Sequence, residues 1–302
     1  MEEKINYYNE IKNEFINCEV YKRIKDYSKN RKELETYYNV GKLLIEAQGG
    51  EERAKYGNAL IKEYSLKLTN ELGRNYNTTT LKRTRQFYLL IQKGAPMAHQ
   101  LSWSHYVELL SIKNTNEINY YIEECLRLNL SKRELREKIK NHEYQRLNNE
   151  TKKKLILKEE TTIEDFVKNP IVLKTNGRKI NSEKVLQMII LENIEEFLKE
   201  LGPGFCFIGS EYKIKIENTY NYIDLLLYNI KYNCYVVIEL KNTELKKEHI
   251  GQIVFYMNYV DKNIKTLNQD KTIGIIICKK NHKYIIDYCS DSRILSREYV
   301  EI

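Results

Sequence analysis

Three charges interrupt sequence that otherwise reads as core: Asp224, Glu239 and Lys241 lie within YIDLLLYNIKYNCYVVIELK, residues 222–241. Side chains of a strand alternate between faces, so Glu239 and Lys241 share one face while Ile238 and Leu240 share the other. The two apolar runs predict a hairpin around Asn229 to Asn233. A turn between Lys231 and Tyr232 sets Asp224 opposite Glu239, with Cβ atoms roughly 4.5–5.5 Å apart. Two carboxylates so placed repel, and a buried carboxylate without a partner either costs free energy or takes up a proton. A divalent cation removes both penalties, and Mg2+ commonly uses only one or two protein carboxylates. The chemistry this set could do is attack on a phosphate: metal and ammonium acidify a water and stabilise charge developing on phosphorus. The same residues would also serve as a structural ion pair, Lys241 neutralising one carboxylate at a sheet edge.

Elements must hold these residues. After a helix expected over 181–201 and the stop Gly202-Pro203-Gly204, strand-like runs appear at 206–208, 212–216, 223–228, 235–241 and 273–278. A helix over 247–260 separates the last two, and on it Gln252 and Tyr256, four apart, share a face. His249, three residues before Gln252, reads as an exposed neighbour of the site. The order describes an α/β sandwich.

The N-terminal half has a helical grammar. Leu34, Tyr37, Tyr38, Gly41, Leu44 and Ile45 form one stripe, stopped by Gly49-Gly50. A second helix over 54–72 ends at Gly73, Thr78 to Thr80 offer N-caps for a third, and Ser131 with Glu134 makes a capping box. The polar, Lys-rich segment 148–158 predicts a boundary between a helical domain, 1–150, and an α/β domain, 151–302, an α+β chain overall.

Composition narrows the class. At 302 residues, 42% hydrophobic and 30% charged, the chain is an ordinary globular one long enough for two domains. Six cysteines without a CxxC pair argue against a disulfide framework or a zinc ribbon, and point to buried thiols in the cytoplasm. No apolar run approaches the roughly 20 residues of a membrane span. The net charge of +8 is concentrated between Ser131 and Lys158, where ten Lys or Arg face four Glu. Such a field suits a polyanion, although a solvated helix face carries similar runs. Lys82, Arg83 and Arg85 behind a threonine cap, with Lys132, Arg133 and Arg136, are the candidate nucleic-acid contacts, in a helix-turn-helix or winged-helix setting.

With these residues in view, Asp224, Glu239-Leu240-Lys241 and Gln252-Ile-Val-Phe-Tyr256 resemble the PD-(D/E)XK nuclease superfamily, with the QxxxY helix of its RecB-like branch. The wider run FCFIGSEYKIKI, GQIVFYMNYV and TIGIIIC, and YYNVGKLLIEAQ, KYGNALIKEYS, LKRTRQFY and LSWSHYVELL before it, resemble the bacterial YhcG-like family. The resemblance implies a restriction-endonuclease-like fold with a central mixed sheet behind the helical domain. It implies a nuclease acting on double-stranded or branched DNA, as a monomer or homodimer, with Mg2+, or Mn2+ in its place. Asp224 and Glu239, with the Leu240 carbonyl, would then ligate the ion, Lys241 would orient or activate the attacking water and stabilise charge developing on phosphorus, and Gln252 and Tyr256 would position the site or the nucleic-acid backbone. Gln187 stands where the superfamily commonly has an acidic residue; Glu183 lies one turn earlier and Glu192 more than one turn later. A second reading follows from that substitution: a DNA-binding or assembly protein on a nuclease fold with little catalysis.

Overall fold

The computed structural model describes residues 7–23, 29–50, 58–288 and 291–302. The chain divides into two compact units, Met1–Lys140 and Asn141–Ile302.

The first unit carries α1 (Tyr7–Arg23), α2 (Lys29–Ala47), α3 (Asn58–Leu72), α4 (Thr78–Gln92), α5 (Trp103–Leu109), α6 (Thr115–Leu128) and α7 (Lys132–Lys140), with no strand among its described residues. Residues 54–57 of the expected second helix lie outside the described residues. The stripe read from the sequence is inside: Leu34, Tyr37, Leu44 and Ile45 are buried. Gly41 belongs to it for a steric reason, since a Cβ there would meet the Thr84 carbonyl oxygen at 2.3 Å, so the α2 backbone runs close against α4. The expected threonine cap is displaced by one residue. Asn77 is the N-cap and accepts from Thr80 N at 3.0 Å, because an Asn side chain reaches the third amide as well as Thr does. The Ser131–Glu134 box is formed in both directions.

The second unit opens with α8 (Asn149–Leu157) and α9 (Ile163–Phe166), then β1 (Ile171–Leu173), α10 (Glu183–Glu192), α11 (Ile194–Leu201), β2 (Phe205–Ile216), β3 (Thr219–Asn229), β4 (Cys234–Glu244), α12 (Lys247–Asn263), β5 (Asp270–Lys280), α13 (Lys283–Asp287) and β6 (Ile294–Glu301). The helix expected over 181–201 is two helices. Asn193 adopts φ −123°, ψ 34°, and its side-chain amide donates to the Ile189 carbonyl at 3.1 Å, which redirects the chain. The runs at 206–208 and 212–216 are one bulged strand.

Six strands form one mixed sheet in the order β1-β6-β5-β4-β3-β2. β2, β3 and β4 are antiparallel neighbours, whereas β4, β5, β6 and β1 pair in parallel. Both faces are covered. Leu225, Leu227, Ile238 and Leu240 pack with Leu186, Ile190 and Phe197 from α10 and α11. Leu226, Val237 and Ile276 pack with Ile253, Tyr256 and Met257 from α12. Burial on two faces is why these strands read as continuous apolar runs rather than alternating ones. At Gly274 a Cβ would meet Met257 Sδ at 2.5 Å, so a glycine is what lets α12 sit down on β5.

Candidate active site

β3 pairs with β4 from Asn229↔Cys234 to Leu225↔Ile238, and the next rung of that register sets Asp224 against Glu239. The backbone pairing of β3 with β4 ends before that rung, and the two carboxylates lie close enough for the charge of one to act on the other. Leu240 N–H, freed from the ladder, donates to Asp224 Oδ2 at 2.8 Å. Lys241 Nζ donates to Glu239 Oε1 at 2.7 Å. Glu239 Oε2 is buried with no hydrogen-bond partner among the described residues. Asp224, Glu239 and Lys241 are thus brought together.

The electrostatics follow from burial. Glu239 is 1% exposed. Desolvation, aided by the Asp224 carboxylate and opposed by Lys241, pushes its pKa up to about 7. Asp224 is also raised, by desolvation against the pull of Leu240 N–H and Lys241. Burial works against the Lys241 ammonium, but the hydrogen bond and charge of Glu239 outweigh it and lift its pKa further. The result is a permanent cation beside two carboxylates that lack enough positive charge to stay ionised easily.

α12 supplies the flank. Gln252 Nε2 donates to Tyr256 Oη at 3.3 Å, and buried Tyr256 lies within the field of Glu239, Asp224 and Lys241. His249 departs from expectation: it is 6% exposed rather than a surface residue. Its Nδ1 accepts from Lys246 N at 3.2 Å as part of the helix cap, which turns the ring inward. Burial, with the Lys241 charge, lowers its pKa and favours the neutral imidazole.

α10 supplies two further residues. Gln187 Nε2 donates to the backbone carbonyl of Asp224 at 3.1 Å, so this amide pins the strand at Asp224. Glu183, one turn earlier on the same side, brings Oε2 to 3.6 Å from Lys241 Nζ. Its position was readable from the four-residue spacing to Gln187. Glu211 carried no comparable signal. The pairs Ser210↔Leu225 and Tyr212↔Ile223 bracket it against Asp224, whose pKa its charge raises, and its φ of 45° is unusual for a non-glycine in a strand.

The candidate cation-binding side chains are Asp224 and Glu239. Among the described residues no group of three His, Cys, Asp or Glu side chains is gathered for a metal. Two carboxylates nevertheless match what Mg2+ commonly takes from protein, and the buried, partnerless Oε2 of Glu239 is an oxygen in need of a cation.

The basic residues of the first unit are placed separately. Lys82 and Arg83 are exposed on α4. Arg85 is half-buried, and its Nη1 donates to Gln48 Oε1 at 3.2 Å. Arg136 and Lys132 pair with Glu108 at 2.8 and 3.4 Å, while Arg133 faces solvent. No described helix is long and apolar enough to cross a membrane.

Both halves of the chain match known families. Residues 164–299 match the YhcG PDDEXK nuclease domain, and residues 19–146 match the DUF1016 N-terminal domain. The chain is 27% identical over 283 residues to "Putative nuclease YhcG" of Escherichia coli (strain K12), covering 80% of this chain and 76% of that protein. Among solved structures it is similar to a repair endonuclease from Pyrococcus abyssi, with 18% identity, a TM-score of 0.28 and coverage of 41% of this chain and 48% of that one. It is also similar to the structure of the EndoMS-dsDNA2 complex, with 19% identity, a TM-score of 0.29 and coverage of 42% and 47%. Less than half the length of those two chains is spanned. Residues 164–299 thus belong to the YhcG PDDEXK nuclease domain family, and residues 19–146, before them, to the DUF1016 N-terminal domain family.

Proposed function

We propose that this protein is a divalent-metal-dependent endonuclease that hydrolyses phosphodiester bonds in DNA. The observation that carries the reading is the buried Oε2 of Glu239, a carboxyl oxygen with no hydrogen-bond partner among the described residues, directly across from Asp224 in the β3–β4 register. Asp224 and Glu239, with the Leu240 carbonyl, would hold Mg2+, or Mn2+ in its place. When bound, the ion supplies Lewis acidity and a more acidic water. Lys241 donates from Nζ to Glu239 Oε1 at 2.7 Å. It holds Glu239 in place and donates to the oxygens on which charge develops, a stabilisation commonly worth 100-fold or more in rate, about 3 kcal/mol. Leu240 N–H and Gln187 fix Asp224 from two sides, and Gln252 and Tyr256 wall the site on α12. Lys82, Arg83 and Arg133, exposed on the helical unit, supply phosphate contacts that position DNA without reading its bases.

One observation favours a second reading, a DNA-binding or assembly protein with weak catalysis. Gln187 is committed to a backbone carbonyl and offers no carboxylate. Glu183 offsets this, since it brings an acidic group to Lys241 from the same helix. The test is cleavage of linear, supercoiled and branched DNA and of RNA, with Mg2+, with Mn2+ and with chelator. The expected result is metal-dependent cutting of DNA that Asp224→Ala, Glu239→Ala and Lys241→Ala each remove. No cutting of any substrate, or cutting that survives all three substitutions, overturns it.

A further inference from the structure

We infer that the exposed face of the β2–β3 ribbon binds an unpaired nucleic-acid strand beside the candidate site, stacking a base on Tyr220 and Tyr222 and holding phosphates with Lys213 and Lys215. The inference rests on the nuclease reading for its ligand class, and on the ribbon for everything else.

β3 pairs with β4 only from Leu225 onward, so Thr219 to Ile223 pair with β2 alone. Within that two-stranded ribbon Lys213 pairs with Tyr222 and Lys215 with Tyr220. Directly opposed residues share a face. The opposite face is anchored, with Ile214 and Ile223 buried in the core under α12. On the free face Tyr220 is 52% and Tyr222 50% exposed, and Lys213 and Lys215 are exposed. Lys213 Nζ stands 3.8 Å from the Tyr220 ring centroid.

Lysines alone would be the ordinary means of blunting an edge strand against aggregation. Two half-exposed tyrosines in register with them have no such use, because they add apolar surface to the edge the lysines protect. Alternating aromatic and cationic side chains are what a nucleic-acid strand requires: π-faces for bases and ammonium groups for phosphates. Same-side residues of a strand recur every ~7 Å, about twice the 3.4 Å rise of a stacked strand, so a single base has room between the two rings. Paired bases in a duplex do not offer their faces in this way, so the ribbon selects an unpaired or frayed segment. Tyr222 is two residues from Asp224, so a strand on the ribbon leads directly to the carboxylates. The acidic residues nearby lie at the ends of the platform: Glu211 faces Asp224 at the site, and Glu217 is in the turn.

The experiment uses the full chain in chelator, with fluorescence anisotropy on a duplex bearing a single-stranded tail and on the blunt duplex of the same sequence. Tyr220→Leu/Tyr222→Leu keeps bulk and removes stacking. It should weaken binding to the tailed probe by roughly tenfold or more and leave the blunt duplex unchanged. Tyr220→Phe/Tyr222→Phe should bind as the parent does. Lys213→Gln/Lys215→Gln should flatten the salt dependence on the tailed probe by a log–log slope of about 1.4. Equal losses on both probes, or no loss in the leucine variant with an unchanged circular-dichroism melt, overturn the inference. Cleavage by the parent protein with Mg2+ is scored separately. Absence of cutting sinks the nuclease reading and leaves strand binding by the ribbon measurable, whereas unchanged tailed-probe binding sinks the ribbon and leaves cleavage standing.

Discussion

Asp165 and Glu239 are carboxylates of the same unit, 4% and 1% exposed, and the protein treats them in opposite ways. Asp165 Oδ1 accepts from Thr151 Oγ1 at 2.8 Å. Its Oδ2 accepts from Lys154 Nζ, Thr162 N and Thr162 Oγ1 at 2.9, 2.8 and 3.1 Å. Burial alone would raise its pKa, but the Thr162 amide, Lys154 and the two hydroxyls together hold it below the usual carboxylate range. Glu239 has one partner, Lys241, on one oxygen and none on the other. Its pKa is pushed the other way. A buried acid with every lone pair answered is structure. One left half answered beside a second carboxylate is stabilised by something that arrives later, and folds at a cost until then.

The contrast is broken or sharpened by separating activity from stability. The largest effect expected is Glu239→Gln, which should reduce metal-dependent cleavage by about 1,000-fold or more while leaving the thermal midpoint in chelator unchanged or higher. Cleavage rates and calorimetric melts on the same preparation check both halves. Asp165→Asn should do the reverse, lowering stability by roughly 2–4 kcal/mol in urea unfolding with cleavage retained, because Lys154 and two threonines lose an ionised partner.

A smaller effect is set by pH, with opposite signs for the two residues. Asp165 has a depressed pKa, so its contribution is present above the usual carboxylate range and is lost as pH falls through its folded value. Glu239 is raised from 4.5 to about 7, so in chelator its contribution is present below 4.5 and is lost as pH rises through about 7. Melts across that window should fall in the parent protein and flatten in Glu239→Gln. The smallest effect belongs to the helical unit: Lys82→Gln and Arg83→Gln should each reduce the log–log salt slope of duplex binding by about 0.9.

How much of this was legible before the structure depended on the range of the forces involved. The Asp224–Glu239 register follows from a local turn and strand alternation, so YIDLLLYNIKYNCYVVIELK carried it. Gly73, which ends α3, was equally local, whereas Gly41 owes its place to the Thr84 carbonyl of α4. β6 was not readable, because Arg297 and Glu298 interrupt its apolar pattern; Arg297 Nε donates to the Val167 carbonyl at 2.8 Å, a partner 130 residues away. β1 has three residues and gains its meaning only from β6. Glu211 faces Asp224 only through the pairing of β2 with β3, and its positive φ of 45° has no signature in the residue type. Glu183 had the right spacing, but its approach to Lys241 required the helix to break at Asn193 and seat α10 on the sheet.

The most direct measurement is isothermal titration of Mn2+ into the metal-free chain and into Glu239→Gln. If the partnerless oxygen of Glu239 is a cation ligand, the parent protein shows saturable binding at one site that Glu239→Gln abolishes. Near neutral pH that binding releases protons, seen as a heat that depends on the buffer. No binding to the parent protein, or the same binding in Glu239→Gln, contradicts it.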